Sequence, residues 1–136
     1  MAAQRGRLLR LYVEATPDAQ DWTLIGGQRD GGFDMTNPMV DVSNKDTGGW
    51  RKLGSDLGIR DGQMNISGIS QDDAALSLIE TASNDGLVLN YQMRFDNGNT
   101  RTGPFLATKF NRDGKYNGAE EYKLTLESAD EIVRVE

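Results

Sequence analysis

The carboxylates are the residues here that could do chemistry. Asp and Glu number 21 against 15 Lys and Arg, and paired carboxylates can do acid–base work. Glu120-Glu121 is the obvious pair, but adjacent residues on a strand point to opposite faces, so the two would not flank one bond. Asn111, Asp113, Asn117 and Glu120 have the composition of a calcium loop. Gly114 and Glu120 do not fall at that loop's required places, and a hairpin turn is the better reading. Ser and Thr are abundant, yet the chain has no His and no Cys. That removes the Ser-His-Asp and Cys-His constellations, the usual zinc sets and disulfides. A Ser-Lys arrangement stays open, although nothing marks one. Gly26-Gly27 and Gly31-Gly32 lack the Gly-Lys-Ser/Thr ending of a phosphate loop and no helix follows; they are expected to be flexible turns. The expectation is a protein without catalysis and without a cofactor.

Composition bounds the rest. A chain of 136 residues has one domain as its prior. Hydrophobic residues make up 37% and Gly numbers 16, which suits a turn-rich β protein with much polar surface. The net charge of −6 opposes a grip on DNA phosphates, which Lys and Arg would drive. It is compatible with a wall that repels DNA and lets it slide. The apolar run near Leu8-Leu9 is too short for a signal peptide. No run approaches the roughly 20 apolar residues of a membrane span, so no membrane partner is expected.

The elements that must position these residues read as mainly β. Leu8 to Glu14 forms a strand, Pro17-Asp18-Ala19-Gln20 a turn, and Asp21 to Ile25 a returning strand. Phe33 to Ser43 is extended, interrupted at Asn37-Pro38. Asp61-Gly62 looks like a turn before a strand at Gln63 to Ile69, with Met64 and Ile66 inward. Ser70 to Asp73 has capping-box form. Ala75, Leu76, Ile79 and Ala82 then make one apolar stripe, so a helix is expected over about 72–83, ended at Gly86. Leu87, Leu89, Tyr91, Met93 and Phe95 alternate with polar residues. Asp96 to Asn99 turns into a partner strand at Thr100 to Asn111, where Gly103-Pro104 marks a bulge or edge. Tyr122, Leu124 and Leu126 face inward in the last long strand. Ile132, Val133 and Val135 in the acidic tail could add a strand to this chain or to a neighbour. The sum is an antiparallel β-sandwich or partly open barrel with one helix. Such a fold has edges that must be blunted or used.

The stretch from Val40 to Gly58 fits no period. A loop of about 40–60 is long for a compact domain and is usually functional or disordered. Disorder would rarely spend Trp50, Leu53 and Leu57. Trp50 therefore either folds back on its own domain or is buried against a partner. Two strand faces are also long and polar: Asn90, Gln92, Arg94 and Asp96, and Glu121, Lys123, Thr125 and Glu127. Their plain reading is a solvated outer face.

Val40-Asp41-Val42-Ser43-Asn44, Asp46 and Gly49-Trp50-Arg51-Lys52-Leu53 resemble the signature segment of the major tail tube proteins of long-tailed phages and gene-transfer-agent particles. The opening Met1 to Leu9, Gly68-Ile69-Ser70 before the helix, Gly103-Pro104-Phe105, and the ending Leu124 to Ala129 are similar to that family in the same order. The resemblance implies a structural virion protein, assembled in the host cytoplasm. Its subunits form rings of six that stack into a hollow tube conducting DNA from the capsid. It implies as partners further copies of the chain, a tape-measure protein in the bore, terminator and distal tail proteins at the ends, and passing DNA held non-specifically. It implies that Asp41, Asn44, Asp46, Trp50, Arg51, Lys52, Leu53 and Leu57 contact a neighbouring subunit. It also raises the reading that Asn90, Gln92, Arg94, Asp96, Glu121, Lys123 and Glu127 face the lumen. The rival is a small monomeric β-sandwich binding module, for instance for carbohydrate. Such modules expose aromatics to stack on sugars, whereas Tyr91 and Phe95 here fall on the apolar face.

Overall fold

In a computed structural model of the chain, all residues are described except 1, 2, 15–21, 56, 72, 73, 115 and 136. The Pro17–Gln20 turn and the Asp72-Asp73 end of the capping box lie outside the described residues. The strands are β1 (Arg10–Glu14), β2 (Trp22–Leu24), β3 (Gln28–Thr36), β4 (Asp61–Ile69), β5 (Val88–Arg94), β6 (Thr100–Asp113), β7 (Glu121–Ser128) and β8 (Val133–Val135). They form an antiparallel sheet ordered β2-β1-β5-β6-β7-β4-β3, with β8 also on β6. The one helix among the described residues, α1, spans Ala74–Asp85.

The period-two pattern builds the core. Leu11, Val13, Met64, Ile66, Tyr91, Met93, Phe105, Tyr122, Leu124 and Leu126 are all buried on one side of the sheet. Tyr91 and Phe105 meet edge-on, 6.3 Å between centroids, and burial pushes the Tyr91 phenol pKa up. The helix lays Ala75, Leu76, Ile79 and Ala82 against this core. It stops where Gly86 turns left-handed (φ 68°) and the Leu87 N–H reaches back to the Ala82 carbonyl at 2.9 Å.

The sheet curls into a half-barrel, and its two ends meet through a side chain. Gln28, at the start of β3, accepts the Leu11 N–H at 3.0 Å and donates to the Leu11 and Ile25 carbonyls at 2.8 and 2.7 Å. The amide stands in for the strand that β2, three residues long, is too short to supply.

Two turn expectations are corrected. Gly31 and Gly32 do not turn; they sit inside β3, opposite Ile66 and Asn65. Asp61 and Gly62 begin β4. A Cβ on Gly62 would lie 2.3 Å from Ile132 Cδ1, and one on Gly103 would lie 3.0 Å from the Glu131 carbonyl oxygen. These glycines make the slot into which the tail drops Ile132 before β8 rejoins β6 at Thr100–Thr102. The bulge of β6 falls between Ala107 and Lys109 rather than at Gly103-Pro104; it lets Ala107 and Phe110 both face the core. Pro104 accepts the Ala129 N–H through its carbonyl. Its nitrogen faces the same side, in the break between β7 and β8, where no donor is needed.

Candidate inter-subunit surfaces

The arm, residues 37–60, leaves the sheet between β3 and β4. Short-range bonds order it. Val42 N–H bonds the Lys52 carbonyl and Gly54 N–H the Val40 carbonyl, both at 2.9 Å, around a bridge between Asp41 and Leu53. Asp41 accepts from the Ser43 N–H at 2.8 Å, and the Ser43 hydroxyl accepts the Lys52 N–H at 2.6 Å. Hydrogen bonding from Ser43, through its side chain and then its backbone N–H, holds the Asp41 carboxyl below the usual carboxylate range. Asn44 caps a single 3-10 turn over Lys45–Thr47 by accepting the Asp46 N–H at 2.8 Å. Gly48 and Gly49 then reverse the chain. Polar side chains are thus spent on the arm's own backbone, and its apolar ones are left outside. Trp50 is 82% exposed and Ile59 87%, with Met35, Met39, Val42, Leu53 and Leu57 exposed as well. Trp50 does not fold back on its own sheet. Arg51, Lys52, Lys45 and Asp46 are exposed beside it.

Composition around the loop pointed to Trp50, Leu53 and Leu57, but Met35, Met39 and Ile59 were not anticipated. Their signal was available: single large apolar residues flanked by Asp, Asn, Pro, Gly and Arg, with no period to bury them.

The polar residues of β5 and β7 fall on one surface. Strand partners in register point to the same side. Arg10 faces Arg94, Tyr12 faces Gln92, and Gln92 faces Thr102. Across the sheet, Leu106 faces Glu127, Glu127 faces Gln63, and Lys123 faces Ser67. One face, opposite the core, therefore runs from β1 to β3. On β5 its polar groups bond one another. Gln92 donates to Thr102 at 3.0 Å and accepts from Arg94, whose guanidinium lies 4.0 Å from the Tyr12 ring centroid. Asn90 donates to Glu14, the buried carboxylate, at 3.0 Å. On β7, Glu121 pairs with Arg29 at 3.8 Å, and Lys123 and Glu127 are exposed. Asp96 lies beyond β5, in the turn. It takes the Arg5 backbone N–H at 2.9 Å and its guanidinium at 3.2 Å. Those bonds hold its pKa down.

The candidate catalytic pair separates. Glu120 bonds Arg112, which also reaches Glu80 at 3.1 Å, while Glu121 turns to Arg29. No group of three or more Asp or Glu among the described residues could hold a metal ion. No helix among them is long and apolar enough to cross a membrane.

Known structures share this architecture. The chain superposes on a subunit of the tail of an empty gene transfer agent (GTA) particle, refined with C6 symmetry. The TM-score is 0.91, with 27% identity over 98% of this chain and 100% of that one. A chain of the native GTA virion matches at 0.88, with 26% identity and the same coverage. The SPP1 tail tube shares the fold at 0.77, with 15% identity over 97% of this chain and 78% of that one. No curated protein sequence matches the chain. The family model of phage tail tube proteins matches residues 3–134, and the chain belongs to that family.

Proposed function

We propose that the chain assembles, as a single domain, into rings of six that stack into a hollow tube for DNA. As a family member it is a structural protein of a phage or GTA particle tail, not one of an enzyme family. The observation that carries the assembly reading is the arm. It is ordered by its own bonds, yet presents Trp50 and five more large apolar side chains to solvent. Large apolar side chains gathered in the open on one segment of a small protein mark an interface. The C6 symmetry of the similar GTA tail supports six copies.

In this reading Trp50, Leu53 and Leu57 pack against a neighbouring subunit, with Asp41, Asn44, Asp46, Arg51 and Lys52 around them. The continuous polar face lines the bore. Asn90, Gln92 and Arg94 present a strip there whose polar groups bond one another and which holds the one cation of Arg94, and Glu121, Lys123 and Glu127 present a weakly acidic one. Neither offers DNA phosphates a basic track. Asp96, tied to Arg5, stands at the rim. A tape-measure protein fills the bore before ejection, and terminator and distal tail proteins close the ends. Catalysis and cofactors play no part.

Negative-stain electron microscopy of the concentrated protein, with sedimentation velocity, tests this. Rings or hollow tubes are expected. A strict monomer, persisting when a tail-tip or tape-measure partner is added, would overturn the reading and favour a monomeric binding module.

A further inference from the structure

At the root of the arm lies a groove of about 780 Å³, between residues 58–62 and the tail segment Ser128–Ile132. Its apolar lining is Met35, Ile59 and Ile132, and its carboxylates are Asp61, Asp130 and Glu131. Arg60, also at its wall, already has an interaction of its own. The arm's tip, Asp41 to Lys52, has the converse sign: Lys45, Arg51 and Lys52 stand against the carboxylates of Asp41 and Asp46, with Trp50 among them. Both surfaces are exposed, and the groove is roomier than one indole requires.

We propose that the groove receives the arm tip of a second copy of this chain, Trp50 lying on Ile59, Ile132 and Met35 while Arg51 and Lys52 reach Asp61, Asp130 and Glu131. This rests on the assembly reading above and names the receiving site within it. The arm does not fill its own groove: Trp50 is 82% exposed and lies outside the lining. From Thr36 to Asn44 the chain advances eight residues, which at about 3.3 Å each carries the tip up to roughly 26 Å from the root. A copy displaced by that length along the arm presents its root to the tip. The contact is heterologous, so it leaves each new copy with an unfilled groove or a free tip, and between stacked rings it repeats along the tube. Opposite charge on the two surfaces sets which end approaches which.

The absence of Cys gives a clean test. Arg51→Cys with Asp130→Cys in the full-length chain is oxidised mildly at high concentration and run on a non-reducing gel, with the same sample viewed by electron microscopy. Arg51→Cys with Asp113→Cys, distant from the groove, serves as the comparison. The expected result is a ladder of copies joined between positions 51 and 130, and its loss when Lys52→Glu and Glu131→Lys are each added singly. Combining those two reversals should restore it. No ladder, or one no stronger than the comparison pair gives, overturns the proposal. If tubes are seen without the ladder, the tube reading stands and the tip docks elsewhere. If the ladder forms without tubes, the contact stands and the tube reading falls.

Discussion

Replacing Trp50 with Ala separates folding from assembly. The indole is 82% exposed, so its removal takes almost nothing from the folded monomer. A surface substitution of this kind changes stability by about 0.5 kcal/mol or less. Assembly is different. A Trp carries roughly 150–250 Å², so about 120–200 Å² of it remains to be buried. At about 25 cal/mol per Å² that is worth roughly 3–5 kcal/mol per contact. Discounting about half for ordering the arm and the receiving side chains leaves about 2 kcal/mol, or roughly a 30-fold rise in the concentration needed to associate. The shift recurs at every contact along a tube, so long tubes should vanish first. The assay pairs thermal unfolding of the dilute monomer with sedimentation and negative stain across a concentration series. The reasoning is refuted if Trp50→Ala makes long tubes at the parent's concentration. It is refuted equally if Tm falls by more than a few degrees, because Trp50 would then be part of the monomer's own core.

Four further substitutions probe the rest of the subunit. Gln28→Glu keeps the shape of the seam but cannot donate to the Leu11 and Ile25 carbonyls; a loss of about 2–3 kcal/mol is expected, read as a Tm drop of roughly 8–12 °C, and a mutant as stable as the parent would show that the seam closes without the amide. Gly103→Ala should cost about 1–3 kcal/mol, because its Cβ meets the backbone carbonyl of Glu131. Gly62→Ala meets only the end of the Ile132 side chain and should cost less; the reverse order in thermal melts would contradict the slot. The Asp96 carboxyl, hydrogen-bonded by Arg5, should titrate by NMR below the ordinary value of about 3.9 and return toward it in Arg5→Ala. Because its folded pKa is depressed, the stability it lends is complete above the ordinary value and lost as pH falls through the depressed one; an unchanged titration in Arg5→Ala would refute the pairing.

What the sequence makes legible follows from period. Tyr91 and Met93, Tyr122, Leu124 and Leu126, and the stripe Ala75, Leu76, Ile79 and Ala82 each repeat at the spacing of their element. Their burial is therefore written in one dimension. Glycine is not legible in that way, because it serves turns and close approaches alike. Gly31 and Gly62 look like punctuation until the partner is known, and the partner of Gly62 is Ile132, seventy residues on. Gln28 carries no pattern at all. Its role arises only because β2 stops short and the curled sheet brings Leu11 beside it. For the arm, composition and the family resemblance point to the segment and to Trp50. They do not point to the groove at its root, which is made by residues from two distant parts of the chain.

An exposed apolar arm on a free subunit invites indiscriminate association, and the charge pattern opposes it. The chain carries a net −6, so two copies repel in most orientations. The arm tip carries the opposite sign, with Lys45, Arg51 and Lys52 against Asp41 and Asp46 around Trp50. A tip approaching the acidic body of another copy is the encounter in which the long-range field attracts. The apolar contact is then made at the end of a charge-guided approach. Beyond the tip, Met39, Leu57 and Ile59 are separated from one another by Pro, Gly or charged residues. None forms the unbroken β-prone run that seeds aggregation. The arm can thus stay sticky for one partner surface while the rest of the molecule keeps other copies away.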